Sequence, residues 1–250
     1  MIQSFYINLR TRKDKRKFIE SQFQEFKNPP KRVIAIRSLR KVSKNVMVTP
    51  QVAACWLSHE KVYGILKKSK INSAIILEDD AKIDKDIIRN WNSLILKFEA
   101  SDLDCLQIGY LDIGIRNKIL RKLHDISWII EILFLRFLMS LSPIDSLIRR
   151  TRVRRAKKAF QISSTFGLGF LKPDDFLPGT HSYLIKKDFA MKLIDINSPI
   201  VFSADQLFMS ISKMKSFEIW RTTKNFSTQE TNFKSDIGED RFLIYSKLKK

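Results

Sequence analysis

Two cysteines in 250 residues, Cys55 and Cys105, supply neither a disulfide framework nor a paired metal-binding spacing. They read as small buried residues and suit a reducing compartment. The opening stretch from Met1 to Lys17 turns basic after a few apolar residues, too short for a signal-peptide core and with its charges on the wrong side. The expected location is therefore the cytoplasm. A membrane-spanning run is missing too: Ile126 to Leu141 is 16 residues, about 24 Å as a helix against the roughly 30 Å of a bilayer core, and it contains Glu131 and Arg136. No internal repeat, zinc-finger spacing or aromatic RNA-binding motif is found, which argues against a nucleic-acid-binding role. Acidic residues are the scarce charge. The 26 Asp+Glu face 46 Lys+Arg and leave +20, a field that attracts phosphates, anionic membranes or nucleic acid without choosing among them.

What is present is enough apolar material, 44% of the residues, for a real core. The expectation is a single domain over 1–250 with a basic, largely helical insertion at about 116–160. Ser4 to Leu9 reads as a short buried strand, followed by a polar basic run and a helix with apolar positions Phe18, Ile19, Phe23 and Phe26. Arg32 to Ile36 is a second strand. Thr49 and Pro50 start a helix running through Leu66, because proline is tolerated in a first turn. Ser73 to Leu77 is a continuous apolar run, as in a central strand covered on both faces. Cys105 to Ile108 and Ser182 to Ile185 follow as strands, the latter with a helix from Asp188 to Ile194. This alternation predicts a layered α/β fold.

The insertion carries 12 Lys+Arg against Asp125, Glu131 and Asp145, so it holds +9 of the net charge. On a helical projection Ile119, Leu123, Ile126, Ile130, Leu133, Phe134, Phe137 and Leu141 fall in one stripe. That stripe either packs on the protein's own core or lies in an anionic membrane surface, helped by Arg149, Arg150, Arg152, Arg154, Arg155, Lys157 and Lys158.

The most informative tripeptide is Glu78-Asp79-Asp80, directly after the apolar strand. Alternate strand residues share a face, so Glu78 and Asp80 are expected to aim at one point. Hard oxygen ligands of this kind suit Mg²⁺ or Mn²⁺, which keep positions open for the phosphates of a nucleotide. The competing reading is a solvated acidic turn.

These residues in their order resemble glycosyltransferase family 25, the lipooligosaccharide galactosyltransferase family. The similar stretches are Phe5 to Leu9 with Arg12 and Arg16, Thr49-Pro50 through Ser58-His59, and Ala74 to Asp80. Gly179 to Ile185, Asp205, and Gln229 with Ser235 to Ile237 follow. The chain departs from the family at Gln51, Val52 and Ala54, which stand where it usually has Gly-Glu and Gly, and the basic insertion has no counterpart placed in it.

The resemblance implies a GT-A type nucleotide-sugar-binding fold with a mixed, mostly parallel sheet flanked by helices. It implies an inverting hexosyltransferase that moves galactose from UDP-galactose onto a lipid-linked oligosaccharide; a stripe lying on the membrane, the second reading of the insertion, would hold the enzyme at the cytoplasmic face of the inner membrane. By resemblance Glu78 and Asp80 hold Mn²⁺ or Mg²⁺ against the donor diphosphate, with Asp79 a support or a contact to the nucleotide's ribose. Ile7, Asn8, Leu9 and Arg12 lie beside the nucleotide, and His59 donates to a phosphate or sugar oxygen. Asp205 is the candidate base on the acceptor hydroxyl, a task for a carboxylate; it reads equally as a helix N-terminal carboxylate. His181 follows Gly179, where a glycine lets a ligand approach the backbone, so it contacts the sugar or completes the metal shell. The alternatives are a basic nucleic-acid-binding protein and a noncatalytic membrane-associated scaffold.

Overall fold

Apolar runs bounded by turn residues become strands here, and amphipathic segments close over them. The computed structural model describes residues 3–39, 48–111, 115–141, 150–214, 216–233 and 236. The expectations placed on Asp145, Arg149, Ser235 and Ile237, and on the side chains of Leu141, Arg150 and Arg152, fall outside the described parts. In chain order the elements are β1 (Gln3–Asn8), α1 (Lys13–Ser21), β2 (Lys31–Ile34), α2 (Pro50–Lys68), β3 (Ser73–Glu78), β4 (Ala81–Ile83), α3 (Lys85–Arg89) and α4 (Trp91–Ala100). Then come β5 (Cys105–Gly109), α5 (Ile115–Leu141), α6 (Arg150–Phe166), β6 (Leu171–Pro173), β7 (Ser182–Lys186), α7 (Lys187–Ile196), α8 (Ala204–Ile211), β8 (Ile219–Thr222) and β9 (Ser227–Gln229).

The main sheet runs β2-β1-β3-β7-β5-β8-β6, with β4 and β9 paired beside it and β9 also touching β5. The α/β class stands, but the expected mostly parallel sheet does not. Four pairings are parallel, β1 with β2 and β3, and β5 with β8 and β9. The other four, β3–β7, β5–β7, β4–β9 and β6–β8, are antiparallel. The reversal comes from β7, which enters between β3 and β5 against the direction of both.

Strand alternation splits the core into two layers. Ala74 and Ile76 of β3 face Trp56, Tyr63, Phe189 and Phe208 on one side, and Ile75 and Leu77 face Leu94, Ile95 and Phe98 on the other. This is why β3 reads as an unbroken apolar run. Thr49 caps α2 through its side chain, which accepts from Val52 N, and Pro50 takes the first helical position. α1 stops at Ser21, short of the expected end. Phe23 lies beyond it in a turn and Phe26 just past that turn, and both pack edge-on against Trp91.

Candidate active site

β1 and β3 run parallel and end side by side, so Asn8 and Glu78 bring their following loops to one edge of the sheet. A cleft of about 270 Å³ opens there, just below the usual range for small-molecule sites. Its walls are Ile7 of β1 and Leu9 just past it, Glu78 to Asp80, the face of α2 carrying Cys55, Ser58 and His59, the first turn of α8 with Asp205, and Gln229 at the end of β9. Open α/β sheets bind ligands at this position, outside the carboxyl ends of the strands.

The three carboxylates reach the cleft differently from the expected strand alternation. β3 ends at Glu78, and Asp79 and Asp80 form the turn into β4. Asn8 donates to Asp79 at 2.7 Å from a fully buried position beneath the cleft, and Glu230 N donates to Asp80 O at 2.8 Å. Sequence reasoning missed Lys15. Its buried ammonium lies 3.0 Å from Asp80, 3.6 Å from Asp79 and 3.1 Å from Asp236. Its place in a basic run, Lys13 to Lys17, hid it, since nothing in that run marks which cation turns inward. Burial works against its charge, but the charges of Asp80 and Asp79 outweigh it and hold its pKa above the usual value.

Titration separates the carboxylates. Burial pushes Asp79 up to about 6, against the pull of Lys15 and the Asn8 hydrogen bond. Burial and the charge of Glu78 raise Asp80 as well. Glu78 goes the other way: burial disfavours its charge, yet the hydrogen bonding and charge of His59, with His181 and Thr180, hold it below the usual carboxylate range. Thr180 donates to Glu78 Oε1 at 2.8 Å, and His59 Nε2 lies 3.6 Å from the same oxygen. His59 is fixed from behind, because its Nδ1 is 2.8 Å from the Tyr183 hydroxyl, itself 2.7 Å from that of Tyr63. The tyrosine pair had no signal in the sequence.

Other expected residues sit outside the cleft wall. Arg12 engages Asp14 at 2.8 Å and Asp236 at 2.6 Å, bracing the loop. His181 is fully buried, with Nε2 2.8 Å from Ser227 O, and is not among the residues lining the cleft. The approach that Gly179 permits is that of His181 itself. A Cβ on Gly179, whose φ is +101°, would meet His181 Nδ1 and Leu111 Cγ at 3.0 Å each. One on Gly109 would meet Ser227 Cβ at 2.6 Å and His181 Nε2 at 2.7 Å. Two glycines thus let the imidazole clip β9 to the site. Asp205 is on the cleft wall and also in the first turn of α8, where its Oδ1 accepts from Ser203 Oγ at 2.5 Å and Gln206 N at 3.0 Å.

Among the described residues no three His, Cys, Asp or Glu side chains come together as a metal-holding group. Glu78 and Asp80 still offer hard oxygens to the cleft, and Mg²⁺-type ions are commonly held by one or two carboxylates plus substrate phosphates. The donor set therefore fits an ion completed by a phosphate ligand.

A sequence model described as Glycosyltransferase family 25 (LPS biosynthesis protein) matches residues 1–208. The matched span contains β1, the acidic turn, His59 and Asp205, and ends before Gln229. No curated protein matches the chain.

Proposed function

We propose a reaction from one premise: this chain belongs to glycosyltransferase family 25, so it is a glycosyltransferase. The proposed transfer takes galactose from UDP-galactose, with inversion, to a hydroxyl of a lipid-linked oligosaccharide, on a GT-A type fold. The observation that carries it is the cleft itself, where Glu78, Asp79, Asp80 and Asp205 from distant parts of the chain meet beside Ile7 and Leu9.

In this reading Glu78 and Asp80 hold Mn²⁺ or Mg²⁺, which when bound neutralises charge on the leaving diphosphate. Lys15 adds a fixed positive charge behind Asp80. Ile7 and Leu9 pack beside the nucleotide. The Tyr63–Tyr183–His59 chain holds the imidazole against Glu78, leaving the carboxylate ionised and oriented. Asp205 takes the proton of the acceptor hydroxyl as its oxygen bonds to the anomeric carbon, while the bond from that carbon to the phosphate oxygen breaks and the diphosphate leaves with the electron pair. His181 is a positioning residue that anchors β9 through Ser227.

The test is a screen of nucleotide-sugars for metal-dependent hydrolysis, paired with thermal unfolding in UDP. UDP should stabilise the protein with Mn²⁺ present and much less without it, and UDP-galactose should be the sugar turned over. Salt-sensitive DNA binding with no response to any nucleotide would overturn the reading.

A further inference from the structure

Helix α5 has two apolar faces, and the fold uses one. Ile132 and Leu135 are buried, Trp128 packs on the core, and Asp125 is buried against Arg221. Half a turn away, Ile119, Leu123, Ile126, Ile130, Phe134 and Phe137 are each between 51% and 60% exposed. At 100° per residue these six fall within about 80° of one another, along roughly 27 Å of helix. Monomeric proteins seldom leave a continuous apolar strip of this kind in water. Of the two expectations for the stripe, packing on the protein's own core is the one the structure overturns.

The charges beside the strip say what covers it. Lys118, Lys122 and Arg136 fall along one edge of it on the same projection. α6 lies on that edge, since the Arg136 guanidinium sits 4.3 Å from the Phe160 ring centroid. α6 adds exposed Arg154 and Lys157. Arg155 and Lys158 are spent differently, pairing with Asp174 and with Glu218. We infer that this face of α5, with the basic edge it shares with α6, seats the protein on an anionic phospholipid surface, the helix lying flat with its apolar strip among the acyl chains. Apolar side chains beside cations match that surface, where each half of the pattern meets its complement. A second copy is disfavoured by the +20 that both would carry. The helix is no span, because no helix among the described residues is long and apolar enough to cross a membrane. The seat also adjoins the cleft: Leu111 lines it, and Arg121 of α5 donates to Leu111 O at 3.2 Å.

Co-sedimentation of the full chain with vesicles tests this without any transfer assay, so its failure leaves the transferase reading untouched. Vesicles of equal parts phosphatidylcholine and phosphatidylglycerol should carry the protein down, and pure phosphatidylcholine far less. Replacing Lys122, Arg154 and Lys157 together with Gln should weaken partitioning about 100-fold, from the contribution of each basic residue near an anionic leaflet. Ile130→Ser with Phe134→Ser and Phe137→Ser should abolish it. All six side chains are exposed, so both variants should melt like the wild type. Sedimentation unchanged by either variant, or absent from the wild type, overturns the proposal. So does a wild-type dimer that the Ser variant disperses without any vesicle binding, which would assign the strip to a second copy.

Discussion

Lys15 is the residue on which the acidic turn depends, because three carboxylates converge on one ammonium that is almost out of solvent. Lys15→Met should destabilise the fold by about 2 kcal/mol, less than the 3–5 kcal/mol of a fully buried pair because the cleft admits water to the carboxylates. Added Mn²⁺ should then stabilise the variant more than the wild type, since a divalent ion can take up the uncompensated charge; equal stabilisation in a thermal melt would remove the ion from this site. Asp205 carries two burdens, a cap and a proposed proton acceptor. Asp205→Asn keeps a side-chain oxygen for Ser203 and Gln206 N, so stability should fall by no more than the ~0.3–1 kcal/mol of a lost helix-dipole charge. Turnover should drop by about 10²- to 10⁴-fold with UDP binding intact. Loss of UDP binding instead would take the base role away from Asp205.

Among elements, α5 is tied to the sheet edge by charge as well as by packing. Arg221 of β8 is fully buried, with Asp125 of α5 at 2.5 Å and Asp175 at 2.9 Å, and Lys172 of β6 joins at 3.1 Å from Asp175. Burial disfavours the charges of Arg221 and Asp175, but the pairs win: the Arg221 pKa stays above its usual value and that of Asp175 below. Arg221→Met should therefore cost about 3–5 kcal/mol by leaving Asp125 and Asp175 short of their partner. Urea unfolding measures this directly, and a loss under 1 kcal/mol would mean that α5 is held by the packing of Trp128, Ile132 and Leu135 and not by the charge network. None of the network was legible beforehand. In the sequence Asp125 is only one of three acids in a basic insertion, and only the path of the chain reveals that its side of the helix is the inner one.

For the whole molecule, the proposed ligand linkage sets the scale of the UDP experiment. At a concentration about 100 times its dissociation constant, a ligand that binds only the folded state adds about 2.7 kcal/mol. For a chain of this length that is roughly 5–10 °C in melting temperature. A shift of that size requiring both UDP and Mn²⁺ is the expected result, and a shift from Mn²⁺ alone would point to ion binding without a nucleotide site.

The sequence by itself determined the elements that frame the cleft, β1, α2 and β3, and the acidic turn that follows β3. Strand β3 is visible because burial on both faces demands continuous apolar residues, and the start of α2 because Thr49 and Pro50 satisfy local capping rules. The acidic turn stands out because three carboxylates after such a strand have no packing use. Tertiary structure alone decided the rest. The direction of β7, the inward turn of Lys15, the burial of His181 and the outward face of α5 each depend on contacts between residues far apart in the chain. Local periodicity says that a face is apolar or that a residue is charged. What lies opposite that face or charge is settled only when distant segments meet.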